Sequence, residues 1–155
     1  MIVVERRGDM FTTDLECITN PVNSVGIMGA GLALAFKRRY PKQCDAFNEE
    51  SRLFARNSFI DKELIRPMLY QRTIWGGDKT ILMFPTKIVP SRKSELSWVV
   101  RSADIAAELL TIGGVGGVAM PKVGCGLGGL DWAVVKPAVI EAIEKKWNGT
   151  LEFWE

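Results

Sequence analysis

Histidine is missing from this chain altogether. With it go the His-based nucleophilic triads, imidazole general bases and most zinc sites. Cysteine is scarce: Cys17, Cys44 and Cys125 lie far apart and form no Cys-x-x-Cys pair. Neither a disulfide framework nor a thiolate metal cage is expected, and reduced thiols in a cytoplasmic protein are. No run of about 18 apolar residues exists to cross a membrane, so no membrane partner is expected. Met1-Ile-Val-Val-Glu5 is too short, and too soon followed by charge, for a secretion signal. Excess charge of one sign is also wanting. Twenty Lys and Arg stand against 18 Asp and Glu, for a net +2. Composition therefore does not compel a nucleic-acid partner, although a local basic patch is compatible with one.

What is present is ordinary for a globular protein: 155 residues, 47% hydrophobic and 25% charged. That length supports one domain over 1–155 with a real core. Short apolar runs at 2–5, 15–19, 80–84, 118–120 and 151–154 read as strands, and 64–75 looks extended. Helical spacing covers 30–39, with Lys37, Arg38 and Arg39 in its last turn and Pro41 as its stop. Further helices are expected over 42–56, over 95–110 behind Ser94 as N-cap, and from Asp131 as N-cap to about Trp147. Gly8-Asp9, Asp78-Lys79, the 113–117 glycines and Asn148-Gly149 are turns. Alternating strands and helices predict an α/β fold: three layers, α/β/α, around a mixed, mostly parallel sheet. Ligands on such sheets bind beyond the carboxyl ends of the strands.

Two glycine-rich loops stand at such ends. The first is Asn20-Pro-Val-Asn23-Ser-Val-Gly26-Ile-Met-Gly29-Ala-Gly31, running into a helix; the second is Pro121-Lys-Val-Gly124-Cys-Gly126-Leu-Gly128-Gly129-Leu130. Glycine admits close backbone approach, and a helix start offers unpaired N–H groups, which together suit a phosphate. The first loop is not a P-loop, since no Gly-Lys-Ser/Thr follows, and its spacing differs from the dinucleotide fingerprint. A pair of such loops suggests a clamp around a diphosphate; tight βα turns are the plain alternative. Asn20 and Asn23 offer amides for sugar hydroxyls, or serve as turn formers. Lys87, after an apolar strand and Pro85, can pair with phosphate, act as an acid or attack a carbonyl carbon. Cys125 lacks an activating histidine, though neighbouring backbone N–H groups can lower a thiol pKa. Asp9 suits an adenine amino group or a turn. Phe153 and Trp154 are the rings best placed to stack on a base, and Lys37, Arg38 and Arg39, with Arg92 and Lys93, attract a polyanion or simply face water.

These segments, with Gly8-Asp9, Phe84-Pro-Thr-Lys87 and the continuation Leu130-Asp-Trp132, resemble the macro domain, an ADP-ribose-binding module, over nearly the whole chain. The likeness is greatest to the DarG-type branch, DNA ADP-ribosyl glycohydrolases that strip ADP-ribose from DNA bases. The resemblance implies that Asp9 binds the adenine amino group, with the Met10 backbone beside it. It implies that Asn23 holds the distal ribose and that Lys87 is catalytic near the anomeric carbon. Asn20, Gly29, Ala30, Gly31, Leu32 and Thr86 would line the ligand, and Val123, Gly124, Cys125, Gly126, Leu127 and Gly128 would wrap the diphosphate. Two departures stand out: Pro21 where that branch has threonine, and Ile88-Val-Pro90 where it has a basic-aromatic stretch. The implied activity is an ADP-ribosyl glycohydrolase acting on a modified macromolecule, DNA being the candidate, as a monomer and with no cofactor or metal. An ADP-ribose 1''-phosphate phosphatase and a non-catalytic ADP-ribose reader are the alternatives. Lys87 either protonates the leaving group or attacks the ring-opened sugar.

Overall fold

The chain is described here by a computed structural model covering residues 1–57 and 65–155. Its sheet has six strands: β1 (Ile2–Arg6), β2 (Cys17–Asn23), β3 (Met68–Tyr70), β4 (Thr80–Lys87), β5 (Gly117–Pro121) and β6 (Thr150–Trp154). They lie in the order β1-β6-β5-β2-β4-β3. Every neighbouring pair is parallel except β3 with β4. A parallel sheet needs cover on both faces, so its inner strands are apolar on both sides. Cys17, Leu82, Phe84, Val118, Met120 and Leu151 point one way; Ile18, Val22, Ile81, Met83 and Ala119 point the other.

Helices α1 (Gly31–Arg39) and α2 (Pro41–Asn57) cover the second face through Phe36, Cys44 and Phe47. Helix α3 (Arg72–Trp75) is a single turn leading into β4. Helices α4 (Leu96–Ile112) and α5 (Trp132–Glu144) cover the first face. Ala103, Ala106 and Ala107 of α4 are fully buried in the same cluster as Val135, Val139 and Ile143 of α5. Small side chains there let two helices and a sheet meet without voids. Phe36, Phe47 and Phe84 are the largest fully enclosed rings, each contributing about 1.5–3 kcal/mol by leaving water. The three-layer mixed, mostly parallel architecture expected from the sequence is the one found.

Several boundaries differ for physical reasons. The strand expected over 15–19 runs on to Asn23 and carries Pro21 inside it. Pairing with β5 is confined to Cys17 and Ile18, and Pro21, which has no N–H to donate, lies beyond it. The strand expected over 80–84 likewise continues through Pro85 to Lys87. Pro41 both closes α1 and opens α2, its fixed φ suiting a first helical position. Ser94 does not cap α4. Glu95 holds that position without a side-chain bond, while Ser94 is buried and its hydroxyl has no partner among the described residues. Within the segment expected to be extended, 72–75 is helical, and position 64 lies outside the described residues. The last helix stops at Glu144, and Trp147 instead buries its ring and donates its indole N–H to the Val115 carbonyl at 2.8 Å.

Asp131 does cap α5, its carboxylate accepting from the Ala133 N–H at 3.0 Å. Among the described residues no helix is long and apolar enough to cross a membrane. Replacing Asp131 by alanine leaves that N–H unpaired. Thermal unfolding is expected to register a loss of about 1 kcal/mol, or roughly 3 °C in Tm, with the fold intact by circular dichroism.

Candidate functional site

The site begins where two strands part. Strands β2 and β5 are hydrogen-bonded neighbours only at Cys17–Val118 and Ile18–Ala119. Past these pairs a cleft of about 430 Å³ opens between the carboxyl ends of β2, β4 and β5. Its volume is that of a small-molecule site.

One wall is the first glycine loop and the start of α1: Ile27, Gly29, Ala30, Gly31, Leu32 and Ala33. Ala30, at the N-cap, has no side chain to satisfy the helix start, so the N–H groups of the first turn remain for a ligand. Two asparagines hold this loop. Asn23 donates to the Ile27 carbonyl at 2.7 Å and accepts from the Ile27 N–H at 3.1 Å. Asn48 of α2 donates to the Gly26 carbonyl at 2.8 Å. Gly26 has φ +76°, and a Cβ there would stand 2.8 Å from the Asn48 Cα. Only glycine meets both conditions.

The facing wall is the second loop, with Pro121, Lys122, Gly124, Gly126, Leu127 and Gly128. Leu130 N–H donates to the Gly124 carbonyl, and Gly129 N–H to the Gly126 carbonyl. Ser94 N–H donates to the Gly128 carbonyl at 3.0 Å. A Cβ on Gly128 would overlap the Ser94 hydroxyl and lie 2.5 Å from the Gly124 carbonyl oxygen. Asn23, Thr86 and Lys87 lie between the walls. Asn23 and Lys87 are partners across β2 and β4, next to a register irregularity at Val22 and Asn23. The Ser24 N–H is shared by the Lys87 and Ile88 carbonyls, at 2.9 and 3.0 Å. Lys87 is half-buried, and its ammonium donates to the Pro90 carbonyl at 3.1 Å. Among the described residues, none that lines the cleft is acidic.

The family model described as Macro domain matches residues 19–139, which include both loops and both strand ends. The chain belongs to the macro-domain family. It is 30% identical over 138 residues to a Mycobacterium tuberculosis DNA ADP-ribosyl glycohydrolase; the match takes in 89% of this chain and 38% of that relative's length. Among solved structures it is similar to the macrodomain of Mycobacterium tuberculosis DarG, with a TM-score of 0.84 and 28% identity over 99% of this chain and 97% of that one. It is also similar to Thermosipho africanus DarTG in complex with ADP-ribose. There the TM-score is 0.77 and the identity 27%, over 98% of this chain and 42% of that one.

The macro-domain cleft gathers most of the residues expected from the sequence: Asn23, Gly29, Ala30, Gly31, Leu32, Thr86, Lys87, Gly124, Gly126, Leu127 and Gly128. Others lie off its walls. Asn20 is completely enclosed, its amide set between the Met83 and Met28 sulfurs at 3.4 and 3.8 Å. Like Ile18 and Val22 it faces the α1–α2 layer, so it is a core residue. Val123, 1% exposed, packs into the opposite core. Cys125 turns its thiol to the Val123 carbonyl. Burial pushes that thiol up, and the Asp131 charge adds to the shift, so the loop does not activate it.

Asp9 caps the 3-10 turn Met10–Thr12, its carboxylate accepting from the Phe11 N–H at 3.0 Å. The Met10 side chain is buried. Phe153 is also buried, edge-on to Trp132 at 4.9 Å, which removes it as a base stacker and leaves the half-buried Trp154. The segment after Asp9 is tied to β6 through Glu152, which accepts from Thr13 Oγ1 at 2.6 Å, Trp154 Nε1 at 2.9 Å and Arg6 Nε at 3.1 Å. Burial pushes the Glu152 carboxyl up, but these three donors and the Arg6 charge outweigh it and hold it below the usual carboxylate range.

Lys122 is the charged residue of the cleft lining that sequence reasoning missed, along with the apolar Ile27, Ala33, Pro90 and Pro121. It lines the cleft and also a second hollow of about 320 Å³ beside Trp132 and Trp154, and it pairs with Glu155 at 2.7 Å. A lysine directly between a buried strand and a glycine loop was the available signal.

Gly128→Ala is expected to displace the second loop and weaken ADP-ribose binding by about tenfold or more in calorimetry. Glu152 has a lowered folded pKa. Its stabilisation is therefore complete above the ordinary carboxylate pKa of about 4.3 and is lost as pH falls through the folded value. Glu152→Gln should lower Tm at pH 7, and the gap from wild type should narrow as pH falls below about 4.3.

Proposed function

We propose that this macro domain binds ADP-ribose and hydrolyses the bond joining it to a macromolecule, with ADP-ribosylated DNA as the substrate. The observation that carries the reading is the arrangement of the cleft. Two glycine loops face each other across it, one at a helix start, and Lys87 is set beside Asn23 at the end of the sheet. The helix-start amides and the second loop offer N–H donors to a diphosphate, and Lys122 adds a positive charge on that wall. The named activity of the DNA ADP-ribosyl glycohydrolase relative supports the same direction. The chain spans 38% of that relative's length.

A glycosidic bond breaks through an oxocarbenium-like state. A pair of carboxylates would be the usual means, but among the described residues the cleft walls carry none. Lys87 is the cation beside the expected position of the distal ribose. Its ammonium can protonate the leaving atom while water adds to C1'', or as free amine it can add to C1'' of the ring-opened sugar and expel the protonated base, leaving an iminium that water hydrolyses back to the amine and ADP-ribose. The Pro90 carbonyl positions Nζ. Asn23, its amide committed to Ile27 on one side, keeps one donor and one acceptor lone pair for a sugar hydroxyl. Binding at the diphosphate fixes the ribose relative to Lys87, where a small displacement costs rate.

ADP-ribosylated single-stranded DNA, ADP-ribosylated protein and ADP-ribose 1''-phosphate offered in parallel test the reading. Release of ADP-ribose from DNA is expected. Lys87→Ala should slow it by about 10²–10⁴ while ADP-ribose affinity stays within about threefold. Release of phosphate alone would make the protein a phosphatase, and tight binding without turnover a reader. Trapping of Lys87 by borohydride during turnover selects the iminium route.

A further inference from the structure

The two edges of the sheet are finished differently. At one, β3 is three residues long, with Tyr70 buried and Met68 and Leu69 half-buried. At the other, β1 has only β6 as a strand neighbour among the described residues. Four of its five residues are exposed, Ile2 at 64% and Val3 at 37%. Sheet edges are commonly blunted by proline, by a bulge or by a covering segment. Strand β1 contains no proline, and its register with β6 runs without a shift from Ile2 to Arg6. Backbone N–H and C=O groups alternate between the two sides of a strand. The Ile2 N–H donates to the Gly149 carbonyl at 3.0 Å, and the Arg6 carbonyl accepts from the Glu155 N–H at 3.0 Å. Ile2, Val4 and Arg6 therefore direct their backbone groups to β6, while Val3 and Glu5 turn theirs to the open edge. The side chains divide by face. Arg6 is held by Glu152 at 3.1 Å on one, and Glu5 by Lys136 of α5 on the other.

We propose that β1 is the interface of a two-fold dimer, in which a second copy of this chain lays its own β1 antiparallel to this one and joins the two sheets into one. A monomer, as the family resemblance implies, would leave this edge bare. The edge is self-complementary, and its charges select the register. Outward-facing residues must meet outward-facing residues, so the two-fold axis falls on Val3, Val4 or Glu5. Centring on Glu5 sets two carboxylates directly opposite each other, which is destabilising. Centring on Val3 leaves Arg6 beyond the end of the facing strand. Centring on Val4 pairs the whole of β1. Val3 then exchanges both hydrogen bonds with Glu5 of the second copy, and Glu5 does the same with its Val3. Ile2 lies along the aliphatic stem of Arg6 from the second copy. Val4 meets Val4, and the two Glu5–Lys136 pairs flank the axis with their charges balanced. Strands β6 and β5 separate this seam from the cleft. The two strands run in opposite directions, so the two clefts open at opposite ends of the joined sheet. Neither copy completes the other's cleft, and the dimer is independent of the glycohydrolase activity.

Sedimentation equilibrium tests this without any ligand, so failure of the ADP-ribose reading leaves the test intact. The wild-type protein is expected to form a species of twice 17.2 kDa, its share growing with concentration up to about 1 mM. Val3→Pro removes an outward N–H and spares the β6 ladder. Ile2→Lys sets an ammonium against Arg6 of the second copy. Each should raise the dimer Kd by about tenfold or more, with the ADP-ribose Kd unchanged. If Val3→Pro lowers the Tm, Ile2→Lys, at an exposed position, decides alone. The register is read by cross-linking in a Cys125→Ser background with oxidised glutathione. Opposed Val4 positions form a non-hydrogen-bonded pair with Cα atoms about 4.5 Å apart, within disulfide reach, whereas the two Val3 positions are diagonal neighbours about 7–8 Å apart. Val4→Cys should give a covalent dimer and Val3→Cys none. A wild type that stays monomeric at about 1 mM leaves the edge to a strand of another protein and overturns the proposal. A dimer indifferent to Ile2→Lys overturns it, as does cross-linking through position 3 in place of position 4. A mass that climbs past the dimer marks an open, head-to-tail assembly and overturns it too.

Discussion

Strands β2 and β5 hold together over two residue pairs and then separate, and everything functional follows from that separation. Their sequence-distant loops leave the sheet side by side, so both glycine segments face one space. A sheet that stayed paired to its end would have filled this space with ladder hydrogen bonds. Pro21 fits the open side because it has no N–H to offer. The crevice lies at the carboxyl ends of parallel strands, where helix starts and loop amides converge and open α/β sheets take their ligands.

The cleft is organised before any ligand arrives. Asn23 and Asn48 grip the first loop, Ser94 and the internal turns of 124–130 grip the second, and Ser24 locks the end of β2 to that of β4. Each bond fixes a backbone segment whose N–H groups would otherwise be ordered at the ligand's expense. The buried Ser94 hydroxyl and Asn20 carbonyl oxygen, both without partners among the described residues, mark where packing took precedence over polar pairing. Ser94 lies close under Gly128, and Asn20 lies between two sulfurs.

Much of the architecture was legible from periodicity and punctuation. The short apolar runs became strands because both faces of the sheet are covered, and Asp131 capped its helix as an aspartate before a helical pattern does. The misreadings have a common physical origin. Strand ends were placed at the first proline or polar residue, yet a proline facing a crevice costs no ladder bond. Ser94 looked like a cap but was taken under a loop 30 residues away. Asn20, Val123 and Cys125 sit in the right segments but off the cleft walls: strand parity turns Asn20 into the core, and the turn after β5 directs Val123 into the opposite core and the Cys125 thiol to the Val123 carbonyl, neither of which a motif records. Lys122 was passed over because its neighbours across the cleft come from elsewhere in the chain.

The amino-acid sequence by itself determined the family, the layer order and the two loops, because these depend on local spacing: apolar alternation, glycine positions, and a helix start behind a strand. It also determined what chemistry is closed to this protein, having no histidine. Tertiary structure alone decided which of two nearby asparagines reaches the cleft, and that Phe153 is enclosed while Leu127 stands exposed. Those outcomes depend on strand register and on contacts between segments far apart in the chain, and the free energy of such contacts is not written in any local run of residues.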